Sequence, residues 1–372
     1  MTAPQNTGRL DAGPIDTGPL DAGRLGAGPL AAGAHAGLAD PQDALRRLEA
    51  LALSWELQAR PLAPSGLALA GEGWSVDIHP APGGLSLAAE AGDEAILRGL
   101  KEMTEAMLAG LSPEAAERLR WSDGARPGAP AADFREWTWI GRRNVLPGLD
   151  RLVFACPDAA RYAAAPMHVR LLVPPCDGAA AEWPRQKANG GIAWPSGEAA
   201  LATRVYTVRR ADPVRGEIEV DAVVHGDDLL AGWAARARPG WRLGVLGPSG
   251  APPPADGPLL AAADLSALPA LARILAADPA REGLALAAAP PEAARYLAPP
   301  LGVTLRLAPP ETGAEALADL FLEAAETALP ACSAPARWWF AAEAAGVRRV
   351  RARLDALNVD RARRDCVAYW RA

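Results

Sequence analysis

A chain of 372 residues, half of them apolar, has enough material for two or three domains with their own cores. The 38 basic and 44 acidic residues leave a net charge of -6, which argues against a dedicated nucleic-acid or anionic-membrane binder and favours small molecules or proteins as partners. Four scattered cysteines, Cys156, Cys176, Cys332 and Cys366, form no Cys-x-x-Cys pair, and no apolar run reaches the length of a membrane span, so a reduced, cytoplasmic, monomeric protein is expected.

Residues 8 to 33 repeat a five-residue unit with Gly8, Gly13, Gly18, Gly23, Gly28 and Gly33 in register. That period matches neither helix nor strand, so residues 1–40 are expected to be a disordered tail. Asp40 and Pro41 then supply a helix cap and first-turn residue, and Leu45, Leu48, Leu51 and Leu53 recur at helical spacing. The strand-like pieces "GLALA", "GWSVDIHP" and "GLSLAAE" and a helix from Asp93 to Leu111 complete a small α+β domain over 41–122. A linker, "DGARPGAPAAD", covers 123–133.

From Phe134 the chain breaks into short extended runs separated by Pro, Gly and Asp: "TWIGRRNVL", "RLVFAC", "MHVRLLVPP", "ATRVYTVRR" and "GEIEVDAVVHG". This predicts an antiparallel β-barrel over 134–250. Ile218, Val220, Ala222 and Val224 alternate with acidic residues, which gives one buried face, and the "ADPVRG" turn makes 203–225 a hairpin. After "RPGWRLGVLGPSG", strand and helix alternate through "GPLLAAAD", "SALPALARILAAD", "GLALAAAP", "GVTLRLA" and "ARWWFAAE", the pattern of an α/β parallel-sheet domain over 251–372. Trp338 and Trp339 fall inside one of its strands and are expected in the core.

No Walker loop, Gly-x-Gly-x-x-Gly, His-Glu-x-x-His or Gly-x-Ser-x-Gly occurs. Attention falls on "ATRVYTVRR", where Arg204 and Tyr206 share one face of a strand and Thr207 stands across it. A guanidinium grips phosphate and a tyrosine ring offers a flat surface, a pair suited to a flavin nucleotide; the same residues also occur on ordinary solvated sheet faces.

Arg-x-Tyr-Thr-x-Arg on a barrel strand, followed by "DAVVHG", "WAARARPGWRLGVLGPSG", "LLAAADLSALPALARIL", "WWFAAEAAGVRRVRARL" and "YWRA", resembles the siderophore-interacting protein family of the ferredoxin reductase superfamily over 134–372. The resemblance implies FAD-dependent reduction of ferric siderophores to release Fe(II), with electrons from NADPH, NADH or ferredoxin. A flavin- or siderophore-binding protein without turnover, and a related reductase with another acceptor, are the alternative readings.

Carried onto this chain, the resemblance gives Arg204 to the FAD phosphate, Tyr206 to the isoalloxazine face and Thr207 to its reactive edge. His225 and Gly226 would open the pyrophosphate loop, and Gly247, Pro248 and Gly250 would form the turn against the flavin. Asp264, Ser266 and Pro269 would open the nicotinamide-domain helix, with Glu343 in the second nucleotide turn and Tyr369 and Trp370 near the flavin face. Departures from the family pattern are Asp227 and Asp228 after His225–Gly226, and alanines at 262, 263, 341 and 342 where glycine is usual. Carboxylates would repel a pyrophosphate, and methyl groups at the turns would restrict positive φ and weaken nicotinamide binding. Arg348, Arg349, Arg351 and Arg353 are expected on the solvated side of a helix that buries Val347, Val350, Leu354 and Leu357, and Arg185 and Lys187 lie in a loop where an acidic substrate could meet them.

Overall fold

The computed structural model describes residues 30–371 except 56, 72, 125, 165, 176–180, 225–228, 251–256 and 329–334. The expected tail over 1–29 lies outside the described residues. Among the described residues no helix is long and apolar enough to cross a membrane.

The N-terminal unit runs β1 (Leu30–Gly37), α1 (Pro41–Ser54), β2 (Gln58–Leu62), β3 (Gly66–Gly71), β4 (Trp74–Ala81), β5 (Gly84–Ala91), α2 (Glu94–Leu111) and α3 (Pro113–Arg118). Its strands form one antiparallel sheet in the order β1-β5-β4-β3-β2. Asp40 caps α1 by accepting from the Gln42 and Asp43 amides, and Asp93 caps α2 through the Ile96 amide. Leu45 and Leu48 of α1 and Leu97, Leu100, Met107 and Leu108 of α2 are buried with Val76, Ile78, Leu85 and Leu87 of the sheet. Leu53, expected on the buried stripe, is 60% exposed, because in the last turn of α1 its neighbour Ala52 takes the core-facing position.

The expected tail is corrected at its end. Leu30–Gly37 is a strand paired residue by residue with β5. Gly and Ala carry no strand period, so the alternation that normally announces a strand is missing; the β5 edge supplies the partner instead.

The second unit contains β6 (Phe134–Leu146), β7 (Leu149–Ala155), β8 (His168–Val173), β9 (Arg185–Gln186), β10 (Ile192–Ala193), β11 (Ala202–Asp212), β12 (Glu217–Val223), α4 (Leu229–Arg236) and β13 (Arg242–Ser249). Six strands close an antiparallel barrel, β11-β12-β7-β6-β13-β8. Its interior is filled by Trp137, Trp139, Phe154, Tyr162 and Val220, with Trp233 brought in by α4 at 5.5 Å from Trp139, edge to face. Such ring pairs contribute about 0.5–1.5 kcal/mol beyond the area they bury. Ile218, Val220 and Ala222 point inward as expected, but Val224 lies beyond the strand end and is exposed.

The third unit runs β14 (Leu259–Ala263), α5 (Leu268–Ala276), β15 (Glu282–Ala288), α6 (Ala293–Leu297), β16 (Gly302–Ala308), α7 (Ala314–Ala328), β17 (Arg337–Glu343), α8 (Ala344–Ala356) and β18 (Arg364–Trp370). The sheet is parallel, in the order β16-β15-β14-β17-β18. The two-residue period of a strand divides its side chains between two cores. Leu259, Ala261, Ala263 and Trp339 face α5 and α6, whereas Leu260, Ala262, Trp338 and Phe340 face α7 and α8.

On α8, Val347, Val350 and Leu354 are buried, but Leu357, expected on the same stripe, is 44% exposed because it follows the helix end. Arg349 and Arg353 pair with Asp319 and Glu326 of α7 rather than standing free in solvent.

The barrel and the α/β unit are joined by an apolar seam, in which Leu146, Leu149 and Met167 share a core with α5. Polar ties reinforce it: Arg273 of α5 donates to the carbonyl of Val208 at 2.7 Å, and Tyr296 of α6 donates to Asp221 at 2.5 Å. Asp221 is also gripped by Arg151 through two bonds of 2.7 and 2.8 Å.

Candidate functional site

Strand β11 changes partner midway. Ala202–Thr207 pairs with β8, while the pairing with β12 begins at Val208. The Arg204–Thr207 half therefore has a strand on one edge only, and its other edge offers backbone amides and carbonyls. Arg204 is exposed and its guanidinium donates to the neighbouring Thr203 carbonyl at 2.9 Å, a bond that an anion can readily replace. Tyr206 is half-buried and packs partly against the barrel core, so one part of its ring stays accessible.

Thr207 points the other way, into the seam, and is only 4% exposed. It lies opposite His168 in the register of β8, with its Oγ1 3.3 Å from His168 Nδ1. The His168 ring meets Tyr369 of β18 edge to face at 5.9 Å. Burial, with the Arg273 cation nearby, pushes the His168 pKa down to about 4, so the imidazole is neutral near pH 7. Burial raises the Tyr369 phenol well above its usual range; its hydroxyl sits beside Thr207 yet makes no well-formed hydrogen bond. A buried polar atom without a well-formed hydrogen bond is costly, and Thr207 is the hydroxyl that stands beside this one.

The end of β13, where the register shifts between Leu246 and Ser249, lies against the same residues, with Ser249 paired to His168. Gly247 and Gly250 have φ of +119° and +92°, a region that favours glycine. A Cβ on Gly250 would stand 3.0 Å from His168 Cδ2, so the glycine lets the loop close on the ring. Pro248 lies between them, joined to Gly247 by a cis peptide.

The α/β unit supplies a second cluster. In the sheet, β15 and β16 lie on one side of β14 and β17 and β18 on the other, so the strand order reverses between β14 and β17. The crevice at the carboxyl ends of such strands is where open α/β sheets bind nucleotides. Asp264 and Glu343 stand at these two ends. Asp264 Oδ1 accepts from the Ser266 amide at 2.9 Å, the Ser266 hydroxyl at 2.5 Å and the Ala267 amide at 3.2 Å, which shapes the turn into α5. Pro269 is the second residue of α5. Glu343 caps α8 through the Ala345 amide at 2.7 Å. Trp370 is 49% exposed and donates its indole N–H to Asp264 Oδ2.

Of the residues singled out in the sequence, Thr207, Gly247 and Gly250 thus converge on His168 and Tyr369, while Asp264, Ser266 and Trp370 form an adjoining group. His225 and Gly226, with Asp227 and Asp228, lie outside the described residues. The missing glycines leave no strained backbone. Ala262, Ala263, Ala341 and Ala342 are strand residues, essentially fully buried, and none has positive φ, so their methyls pack in the sheet cores rather than straining a turn. Lys187 pairs with Glu105 of α2, and Arg185 is exposed on β9. His168 and Arg273 gave no sequence signal, since each acquires its role through a cross-strand or interdomain neighbour.

The residues present fit an FAD on the barrel. An exposed guanidinium on an open strand edge suits a phosphate, and glycines at 247 and 250 allow close approach of the backbone. They also fit a nicotinamide nucleotide at the sheet crevice, where Asp264 and Glu343 organise two helix starts.

The comparisons agree with this layout. The description "Siderophore-interacting FAD-binding domain" matches residues 139–252, and "Siderophore-interacting protein" matches residues 257–372. The chain is 40% identical over 94 residues to the ferric vibriobactin reductase ViuB of Vibrio cholerae, a match covering 24% of this chain and 34% of that protein. It is 32% identical over 119 residues to the NADPH-dependent ferric-chelate reductase of Escherichia coli, covering 32% of this chain and 45% of that one. The chain thus spans less than half the length of these curated relatives. A siderophore utilization protein from T. fusca superimposes with a TM-score of 0.50 at 25% identity, covering 67% of this chain and 95% of its own. With two adjoining family models matched in order across the barrel and the α/β unit, the chain belongs to the siderophore-interacting protein family.

Proposed function

We propose that this chain is an FAD-dependent ferric-siderophore reductase, an oxidoreductase that takes electrons from NADPH or NADH. The observation that carries the reading is the convergence of Thr207, His168, Tyr369 and the Gly247–Gly250 loop in one seam, beside the open strand edge that presents Arg204 and Tyr206. When bound, FAD would supply the conversion of a two-electron donation into single electrons for Fe(III).

The protein's own groups hold and orient. Arg204 would neutralise an FAD phosphate, Tyr206 would lend ring surface, and Thr207 and Tyr369 would offer hydroxyls to the polar edge of the ring system. Neutral His168 adds no positive charge there. Asp264, Ser266 and Glu343 would shape the nicotinamide crevice, with Trp370 at its mouth. Iron release needs no acid or base from the protein, because hard oxygen donors hold Fe(III) tightly and Fe(II) less so.

The test is the visible absorption spectrum of the purified chain before and after FAD is added and excess removed. Flavin bands are expected in the wild type, with Arg204→Ala raising the FAD Kd about tenfold through loss of a charge-assisted contact. Anaerobic addition of NADPH, NADH or reduced ferredoxin, followed by a ferric siderophore and an Fe(II)-specific chelator, then identifies the donor. A protein that retains no FAD, or that reduces other acceptors but no ferric chelate, would overturn the proposal.

A further inference from the structure

The stretch "EAILRGLKEMTE" at the start of α2 turns Leu97, Leu100 and Thr104 towards its own sheet. On another side it carries charged residues at Glu94, Arg98, Lys101, Glu102 and Glu105, at helical spacing. None of these faces bulk solvent alone. Glu94 pairs with Arg161 at 3.2 Å, Arg98 with Asp133 at 3.1 Å, Lys101 with Asp123, and Glu105 with Lys187. The charged stripe is therefore an interface that docks the small domain on the barrel and its preceding linker.

Two of these pairs end on a single residue. The Gly247 amide donates to the carbonyl of Asp133 at 3.3 Å, and the Asp133 carboxylate is held at both oxygens by Arg98 Nε, at 3.1 Å each. The Gly247 carbonyl accepts from Arg161 Nε at 3.2 Å, and Arg161 Nη2 is held in turn by Glu94. The Gly247 carbonyl is thus held by a side chain that α2 grips, and its amide by the backbone carbonyl of Asp133, whose carboxylate α2 grips. Asp133 is 1% exposed, so the Arg98 arm works in a poorly screened environment. Gly247 opens the loop that closes on His168 through Gly250, and His168 faces Thr207.

We propose that the N-terminal domain is a positioning element for the cofactor site: Glu94 and Arg98 of α2, acting through Arg161 and Asp133, hold the Gly247–Gly250 loop in the conformation that receives the flavin. This rests on the reading of the barrel as an FAD site. It gives the small domain a role in setting flavin affinity and environment, with Arg161 as the connecting residue. Gly247 stands at the register shift between Leu246 and Ser249 of β13, and fixing this irregular stretch before binding lowers the entropy lost when the ligand arrives.

The experiment is FAD titration of the full apo chain, followed by flavin fluorescence and visible absorption, in the wild type and in Glu94→Gln, Arg161→Gln, Arg161→Lys and Glu105→Gln. Glu94→Gln is conservative and exposed, so it keeps the test open should an Arg161 variant fail to fold. Arg161→Gln and Glu94→Gln are expected to raise the FAD Kd about fivefold or more and to shift the bound-flavin bands, with Arg161→Lys recovering part of the loss. Glu105→Gln cuts a tie on the same helix that does not reach Gly247, and should leave the Kd within about twofold of wild type.

Unchanged Kd and spectra in both Glu94→Gln and Arg161→Gln would overturn the inference while leaving the FAD site intact. An equal loss in Glu105→Gln would overturn it too, as general loosening of the docked domain. A wild-type chain that binds no FAD would instead refute the parent reading, and this inference with it.

Discussion

The indole N–H of Trp370 donates to Asp264 Oδ2 at 2.8 Å, tying the end of the last strand to the turn that opens α5. The other oxygen of the same carboxylate takes three donors from Ser266 and Ala267. Replacing Asp264 with Ala removes both functions and should cost about 1–2 kcal/mol, whereas Asn keeps an acceptor and should cost less. Thermal unfolding would show the difference as a fall in Tm of a few degrees, and the fluorescence of Trp370 should shift in Asp264→Ala as its N–H returns to water.

Asp221 is the buried hinge of the barrel and α/β seam, gripped by Arg151 and by the Tyr296 hydroxyl. Asp221→Ala would leave the Arg151 guanidinium, which is only 14% exposed, with Glu219 at 3.2 Å as its remaining carboxylate, and should destabilise the chain by about 2–3 kcal/mol in urea unfolding. Tyr296→Phe removes one bond and should cost only about 1 kcal/mol. Equal losses in the two variants would refute this ranking.

His168 carries a pH dependence whose sign is set by its depressed pKa. The unfolded chain takes up a proton near 6.5 and the folded chain only near about 4, so the unfolded state binds more protons between these values. Its stabilising contribution is complete above pH 6.5, is lost as pH falls towards 4, and changes no further below that. Unfolding free energies measured from pH 7.5 down to about 4 should fall less steeply in His168→Gln than in the wild type.

Gly250→Ala adds a methyl 3.0 Å from His168 Cδ2 at a residue with φ of +92°. The backbone cost is about 1–2 kcal/mol, and the loop must retreat from the ring. Reduced FAD retention with only a small drop in Tm is the expected result, read from the flavin absorbance left after gel filtration.

Periodicity and local chemistry determined much of this protein. Asp40–Pro41 and Asp93 announce their helices, the two-residue period of Ile218, Val220 and Ala222 marks a barrel strand, and the strand and helix alternation after Gly257 implies a parallel sheet. The ordered motifs from Arg204 to Trp370 identify the family because several of them occur together in one chain. Tertiary structure decided the rest. Leu30–Gly37 is a strand only because β5 offers it an edge. His168 enters the site because antiparallel register places it opposite Thr207, and Tyr369 because a parallel strand ends beside them. The grip of α2 on Gly247 joins residues 94, 98, 133, 161 and 247. In one dimension each of these is an ordinary arginine, acid or glycine, and pairing between distant segments has no local period to reveal it.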